Sequence, residues 1–265
     1  MAADDDAPAD TPPDTAATGP QTGAAEPGED KLATDAELRE IKEHSRRKTL
    51  GIRAASAAVM LAIVAAAFYF LGDRGLDILI AAIAAACFLE FIFLVIKATG
   101  NIPYRLAGIL AGGAYIGLAA VILIDFDLQP LYITLASVIF ADVFAYLFGT
   151  LIGGPRILPR VSPNKTWAGL LGGMVGAILA LMPLFVIAYL AQQYFNMQML
   201  IGILIAGPVL AAVSLAGDLF ESWLKRKAGV KDSSSLIPGH GGFFDRFDGV
   251  IPVAIVVGIV VSVSM

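Results

Sequence analysis

Seven apolar stretches, each close to the length needed to cross a lipid bilayer, follow one another along this chain. A transmembrane helix needs roughly 20 predominantly apolar residues. Of the 265 residues, 57% are hydrophobic and only 15% are charged, and the mean hydropathy is +0.76, far from the values of a soluble domain. The pattern predicts an all-α, polytopic integral membrane helical bundle with about seven transmembrane helices. The predicted spans are residues 51–72, 76–97, 105–125, 130–152, 168–192, 200–221 and 249–265.

The first 48 residues differ from the rest in composition. Residues 1–30 are rich in Ala, Pro, Gly, Thr and acidic residues, with no aromatic, Lys or Arg side chain. Such a segment cannot bury enough apolar surface to offset its ordering entropy. Residues 1–48 are therefore predicted to be a disordered acidic tail that includes a short polar helix, and a solvated extension is favoured over a docking role. The transmembrane domain is predicted over residues 49–265.

Lysine and arginine residues are concentrated on alternate loops. The loops around 73–77, 125–129 and 192–199 contain only Arg74, whereas the other connections are basic. Cytoplasmic loops of membrane proteins carry the excess of Lys and Arg. The N-terminus and both long polar loops are therefore predicted to face the cytoplasm.

Ionisable residues within the predicted spans need explanation, because a charge in the bilayer is costly unless it faces protein, a partner or water. Asp142 lies mid-span, with Tyr146 four residues later on the same helix face. Structural and functional interpretations are equally open for Asp142. Glu90 lies in an apolar run without a basic neighbour in sequence, and is predicted to be a buried, protonated carboxylate in a helix contact.

A charged stripe marks the end of the 200–221 span. Asp218, Glu221, Ser222 and Lys225 recur at i, i+3, i+4 and i+7, so they share one helix face. One interpretation is a helix end that reaches water, with Asp218 and Lys225 loosely paired. A functional site is favoured because Asp218 lies nearly two turns inside an apolar helix and needs a partner.

The polar loop over residues 153–169 is basic and contains the run Ser-Pro-Asn-Lys-Thr-Trp. Such loops commonly set topology or contact anionic head groups. The functional interpretation is a phosphate-binding loop, with Lys165 as a point charge and Ser162, Asn164 and Thr166 as short hydrogen-bonding side chains.

The second polar loop, KDSSSLIPGHGGFFDRFDG over residues 231–249, has the composition of a metal and phosphate site. Asp232, Asp245 and Asp248 supply the hard oxygen ligands that Mg²⁺ prefers. The cations that phosphates need are Lys225, Arg226, Lys231 and Arg246. The glycines that let backbone N–H groups approach a phosphate are Gly239, Gly241 and Gly242. Zinc is disfavoured, since the chain has two histidines and one cysteine, and a Walker loop is absent from the sequence.

These residues resemble the signature of the phosphatidate cytidylyltransferase (CDP-diacylglycerol synthase) family. That signature reads Ser-x-x-Lys-Arg, Lys-Asp, Pro-Gly-His-Gly-Gly and Asp-Arg-x-Asp, and every fixed position is filled here within residues 214–249. The segments DVFAYLFG and SPNKTWAG resemble two further family segments. The resemblance covers residues 140–250 well, residues 50–130 only as a run of spans, and the tail not at all. Small departures occur at Asn164, at Ser234–Ser235 and at Gly249.

The resemblance implies the reaction CTP + phosphatidate → CDP-diacylglycerol + pyrophosphate. It implies Mg²⁺ as cofactor, with room for a second cation such as K⁺ about 4 Å away, as in two-metal sites. The implied metal ligands are Asp218 and Asp245, followed by Asp232 and Asp248. The implied catalytic residues are Asp218, Lys225, Asp245, Asp248 and His240. The implied substrate-binding residues are Ser222, Arg226, Lys231, Gly241, Gly242, Arg246, Ser162, Asn164, Lys165, Asp142 and Tyr146.

The resemblance also sets expectations for partners and location. CTP, phosphatidic acid and membrane lipid are the expected partners, a homodimer is plausible within the family, and no nucleic acid is expected. The expected location is the bacterial inner (plasma) membrane, with the active site on the cytoplasmic side.

Two other classes of protein are alternatives. An ion-coupled transporter would use the intramembrane carboxylates as an ion path, but it predicts polar residues spread through the membrane depth, whereas these crowd one end. A CTP-dependent polyprenol or lipid kinase would transfer phosphate in place of CMP. A CDP-alcohol phosphatidyltransferase is disfavoured, because its Asp-Gly-x-x-Ala-Arg signature is absent from the sequence.

Overall fold

Apolar helices account for most of the chain in the computed structural model, which describes residues 55–264 apart from residues 57, 68, 193–196 and 240. The predicted disordered tail, the first residues of the 51–72 span and His240 lie outside the described residues. The described elements belong to one compact unit, Arg46–Met265.

The described helices follow the predicted order. They are α1 (Ala58–Leu71), α2 (Asp73–Ala98), α3 (Ile102–Asp125), α4 (Leu128–Leu151), α5 (Trp167–Gln192), α6 (Met197–Ala228), the single turn α7 (Phe244–Phe247) and α8 (Val250–Ser264). Five of these, α2 to α6, are long and apolar enough to cross a membrane. The prediction of a polytopic helical membrane protein is therefore confirmed.

The first and last predicted spans form shorter helices than the others. Within the described residues, α1 and α8 each fall in the range of 10–17 residues. The 15 residues of α8 rise only about 22 Å at 1.5 Å per residue, less than the roughly 30 Å hydrocarbon thickness. Five of the seven predicted spans thus have spanning length, and the described residues of the other two form short apolar helices.

Helix α6 continues beyond the predicted 200–221 span and carries the charged stripe with it. It has 32 residues, about 48 Å of helix, so it exceeds the hydrocarbon thickness. Its last turn contains Lys225, Arg226 and Lys227. The helix stops before Gly229, whose φ of 68° is the left-handed conformation typical of a C-terminal cap.

The polar loop between α4 and α5 folds into a β-hairpin, which the all-α prediction did not include. Strands β1 (Arg156–Leu158) and β2 (Ser162–Thr166) pair antiparallel. The Thr166 hydroxyl accepts a hydrogen bond of 3.0 Å from the Gly169 N–H, which caps the first turn of α5. The hairpin therefore directs β2 straight into α5.

Helices α4 and α5 make the most extensive helix contact in the described part of the chain. Their close approach depends on Gly172 and Gly176, a small-xxx-small pair of the kind found at membrane helix interfaces. A Cβ atom at Gly172 would lie 2.5 Å from Phe148 Cβ and 2.6 Å from the Phe144 carbonyl oxygen. The absence of side chains at these positions brings α4 alongside β2 and the first turns of α5.

Two apolar clusters hold the remaining helices together. One contains Phe91, Leu94 and Phe244, and joins α2, α3, α7 and α8 to the end of α6. The other contains Leu210 and Val253, and joins α4, α5, α6 and α8. Helices α6 and α8 belong to both clusters, and the charged end of α6 packs into the first of them through Leu224.

Candidate active site

A polar cavity of about 200 Å³ lies where α4, β2 and α6 meet. Its polar lining is Asp142 and Tyr146 from α4, Asn164, Lys165 and Thr166 from β2, and Ser214 and Asp218 from α6. The structure therefore brings together four of the predicted substrate-binding residues and one predicted metal ligand, although they come from three elements separated by long stretches of sequence.

An ion pair between Lys165 and Asp218 crosses this cavity. Asp218 is only 8% exposed, so its intramembrane carboxylate has the partner that its position requires. The sequence-based interpretation that Asp218 pairs loosely with Lys225 is wrong. The two residues are seven positions apart, about 10.5 Å along the helix axis, and the hairpin offers Asp218 a nearer cation.

Asp248 joins the same charged group from the start of α8. Gly217 makes this possible, because a Cβ atom there would overlap the Asp248 carbonyl oxygen and lie 2.8 Å from Pro252 Cγ. On the other side of the contact, a Cβ atom at Gly249 would lie 3.3 Å from Asp218 Oδ1. Burial and then the charge of Asp218 raise the pKa of Asp248 well above its ordinary value.

Lys165 is the cation that these carboxylates face. Burial alone would lower the pKa of Lys165, but the charges of Asp218, Asp142 and Asp248 outweigh burial and raise it. The side chain remains 32% exposed. Lys165 is therefore held protonated in a partly open cavity, a suitable state for binding a phosphate.

A second charged cluster surrounds Lys225 further along α6. Lys225 Nζ lies 2.5 Å from Glu221 Oε2 and 2.8 Å from Asp245 Oδ1. The Asp245 carboxylate also accepts hydrogen bonds from the backbone N–H groups of Ser233, at 3.0 and 3.1 Å, and of Gly242, at 2.8 Å. Burial opposes ionisation, but the hydrogen bonds from Lys225 and from the Gly242 N–H keep the pKa of Asp245 below its ordinary value.

The described residues on either side of His240 in the predicted Pro-Gly-His-Gly-Gly turn are joined by a backbone bridge. Ile237 pairs with Gly241, and the Ile237 N–H donates to the Gly241 carbonyl at 2.8 Å. Gly241 has a φ of 85°, which favours glycine. The Gly242 N–H already donates to Asp245, so the role of the turn as a phosphate cradle stays a prediction.

The other predicted residues lie around these two clusters. Arg226 Nε donates to the Val161 carbonyl at 3.3 Å, which ties the end of α6 to the hairpin. Ser222 is half-buried, while Lys231 and Arg246 are exposed. Asp232 is exposed and lies beside Gly241.

Several residues important to this arrangement were not among the predicted site residues. The Ser214 hydroxyl and Glu221 Oε1 are buried and lack a hydrogen-bond partner within the described residues. Ser214 lies four residues before Asp218, so extending the charged stripe by one turn would have found it. Ser233 and Glu90 are 143 residues apart in sequence yet hydrogen-bonded, and no local pattern predicts that contact.

The part of the sequence that builds this site matches a known protein family. Residues 108–264, more than half of the chain, match the model of the cytidylyltransferase family, and the chain belongs to that family. The matched region includes the hairpin, the cavity and both charged clusters. The resemblance inferred from the signature is therefore confirmed.

Curated relatives make the comparison more specific. The chain is 40% identical over 123 residues to the phosphatidate cytidylyltransferase of Brucella abortus (strain 9-941), covering 43% of this chain and 39% of the relative. It is 35% identical over 153 residues to that of Rickettsia felis, covering 57% and 67%, and 41% identical over 113 residues to that of Haemophilus influenzae, covering 41% and 37%. The chain thus matches about two fifths of the length of the Brucella and Haemophilus relatives.

Proposed function

We propose that this protein is a phosphatidate cytidylyltransferase, which transfers CMP from CTP to phosphatidate and releases pyrophosphate. The observation that carries the proposal is the cavity between α4, β2 and α6, which Lys165, Asp218 and Asp142 line, with Asp248 near enough to contribute to the raised pKa of Lys165. The relatives named phosphatidate cytidylyltransferase support the choice of substrates.

The chemistry requires no protein nucleophile. An oxygen of the phosphatidate phosphate attacks the α-phosphorus of CTP, and the bond from that phosphorus to the oxygen bridging to the β-phosphorus breaks. Both reactants are anions that repel each other, so catalysis consists mainly of positioning them and neutralising their charge. A site rich in fixed cations beside carboxylates suits that task.

Two lysines supply charge at different places. Lys165 lines the cavity and is partly exposed, so we assign it to a phosphate of the incoming substrate. Lys225 is held between Glu221 and Asp245. We therefore assign it two roles: it fixes the position of the 231–249 loop, and it adds positive charge to the side of the active site that this loop forms.

The carboxylates in and beside the cavity fit a divalent cation. The described residues contain no preformed group of three His, Cys, Asp or Glu side chains arranged to hold a metal. Mg²⁺, however, commonly takes only one or two protein carboxylates and completes its ligands with substrate phosphates. Asp218, Asp248 and the unpartnered Ser214 hydroxyl form such a hard oxygen donor set, and Mg²⁺ bound there would neutralise triphosphate charge. Metal ligation by Asp245 and Asp232, and a second cation such as K⁺, stay predictions.

The surroundings of the site suit a lipid substrate. An apolar cavity of about 840 Å³ lies between α2, α3 and α6, lined by Phe91, Tyr115, Phe220 and Trp223, with Lys227 among its lining residues. It shares α6 with the polar cavity, so acyl chains can enter between helices while the head group reaches the charged end. We place that end on the cytoplasmic side of a bacterial inner membrane, because the basic residues gather there.

A labelled-nucleotide assay tests the proposal. Purified full-length protein in detergent is incubated with Mg²⁺, phosphatidate and CTP labelled at either the α- or the γ-phosphate. We expect the α-label to enter the lipid and the γ-label to leave as pyrophosphate. Transfer of the γ-label to a lipid would indicate a kinase, and transfer of neither label, while a known synthase works in parallel, would overturn the proposal.

A further inference from the structure

Glu90 of α2 anchors a distant polar segment by four hydrogen bonds. Its Oε1 atom accepts from the Ser234 hydroxyl at 2.6 Å and the Phe243 N–H at 3.1 Å. Its Oε2 atom accepts from the Ser233 hydroxyl at 2.9 Å and the Phe244 N–H at 2.8 Å. The carboxylate is 4% exposed. The predicted burial of Glu90 is confirmed, and its partners are two serines of the 231–249 loop and the first backbone N–H groups of the single turn α7.

The hydrogen bonds use the full acceptor capacity of the buried Glu90 carboxylate. A carboxylate has about four acceptor positions, and a buried polar group is costly unless it is hydrogen-bonded. Here four donors, two hydroxyls and two backbone N–H groups, converge on one side chain. The ring of Phe91, the next residue of α2, packs edge-on against Phe244 with centroids 5.7 Å apart, so the same turn of α2 holds the segment by both polar and apolar contacts.

The anchored segment is the one that positions Asp245. Ser233 binds Glu90 with its hydroxyl and donates its backbone N–H to Asp245, which in turn holds Lys225. Gly242 also donates to Asp245, and a Cβ atom at Gly242 would overlap both the Ser233 hydroxyl and the Glu90 carboxylate. The glycine at this position is thus required by the closeness of Glu90.

We propose that Glu90 is a positioning residue for cytidylyl transfer. It fixes the 233–244 segment and, through Ser233, the positions of Asp245 and Lys225 in the second charged cluster. The inference rests on the proposed function. It extends the site to α2, which precedes the residues 108–264 that match the family model, so it depends on the contacts seen in this structure.

The first test compares Glu90→Gln with Cys87→Ala in the full-length protein. Glutamine keeps the size of the side chain but replaces one acceptor oxygen by an NH₂ group, so two of the four donors lose their acceptor. Cys87 lies one turn away on α2, is 1% exposed and shares an apolar cluster with Phe244. Its replacement therefore perturbs the same helix and packing while leaving the four hydrogen bonds of Glu90 in place. We expect kcat for Glu90→Gln to fall about 10- to 100-fold, since small displacements of positioning groups are costly, with KM for CTP changed less than about threefold. Cys87→Ala is expected to lower the melting temperature while kcat stays within about twofold.

Amide hydrogen–deuterium exchange provides the readout that does not depend on the reaction. We expect exchange over residues 233–245 to be about tenfold faster in Glu90→Gln and unchanged in Cys87→Ala. If Glu90→Gln does not fold, Ser234→Ala removes a single donor and is expected to give the same changes at smaller size. Faster exchange with normal kcat, or lower kcat without faster exchange, would overturn the proposal. If the wild-type protein transfers no CMP, the proposed function fails, and unchanged exchange in Glu90→Gln would separately show that Glu90 does not hold the segment.

Discussion

At the scale of single residues, the site depends on charges that are satisfied by partners distant in sequence. Asp218 was predictable as a residue needing a partner, because it lies inside an apolar helix. Its partner Lys165 was predicted as a phosphate ligand, but the ion pair between them depends on how the hairpin packs against α6, which no spacing in the sequence encodes. The same holds for Glu90, whose four donors lie 143–154 residues away. Residue types were therefore predictable, and pairings were not.

The Lys165–Asp218 pair leads to a stability prediction. Lys165→Met leaves a carboxylate with 12% side-chain exposure without its partner, which is costly. We expect the single variant to lose about 1–3 kcal/mol, below the loss typical of fully buried pairs because Lys165 is partly exposed. The double variant Lys165→Met, Asp218→Asn should recover most of that loss. Thermal unfolding in detergent measures both, and a double variant less stable than the single one would contradict this account of the pair.

Asp218 itself is expected to be essential for activity. Asp218→Asn removes a proposed metal ligand and the partner of Lys165, so we expect CMP transfer to fall at least about 100-fold, a loss typical of removing one strong electrostatic contact. Asp125→Asn, in a separate pocket lined by the end of α3 and by α8, is the matched control and should keep normal activity. Comparable activity of the two variants would remove Asp218 from the reaction.

At the scale of elements, hydropathy predicted the helices well and their polar extensions poorly. The 76–97 and 105–125 spans correspond to α2 and α3, which begin at most three residues earlier. Helix α6 runs seven residues past its predicted end at residue 221, because its last two turns are amphipathic and lose the apolar signal while remaining helical. The hairpin was missed because its strands are only three and five residues long and lack the alternation of apolar and polar residues that indicates a strand.

The α4–α5 interface provides a test at this scale. Gly172→Val would place a branched side chain against Phe144 and Phe148 of α4, and overpacking of this kind costs about 1–3 kcal/mol. We expect a lower melting temperature together with weaker CMP transfer, because Lys165 and Asp142 are carried by elements on either side of this contact. Gly202→Val, where a Cβ atom meets nothing within 4 Å, is the control. Equal melting temperatures for the two variants would show that the close packing is unimportant.

At the scale of the whole molecule, both charged clusters lie at one end of a membrane bundle. The span count and the distribution of basic loops predicted this end to be cytoplasmic, and the structure gathers the hairpin, the end of α6 and the 231–249 loop around the same cavity and its neighbouring cluster. Hydropathy and charge thus predicted which segments of the chain form the site. Which side chains pair inside it depends on helix packing and could not be predicted from the sequence.

Cysteine labelling tests the orientation. In a Cys87→Ala background, Asp127→Cys in the α3–α4 connection and Ser235→Cys in the long loop are both exposed positions. We expect a membrane-impermeant maleimide to label Asp127→Cys from the outside of spheroplasts and Ser235→Cys only after the membrane is opened. The reverse pattern would invert the topology and place the site away from cytoplasmic CTP.

The most direct measurement of the central claim follows oxygen atoms through the reaction. Phosphatidate carrying ¹⁸O on its phosphate is incubated with CTP, Mg²⁺ and purified protein, and the products are analysed by mass spectrometry. If the phosphatidate oxygen attacks the α-phosphorus of CTP, CDP-diacylglycerol retains every ¹⁸O atom and the released pyrophosphate carries none. Label in the pyrophosphate, or consumption of CTP without formation of CDP-diacylglycerol, would contradict the account.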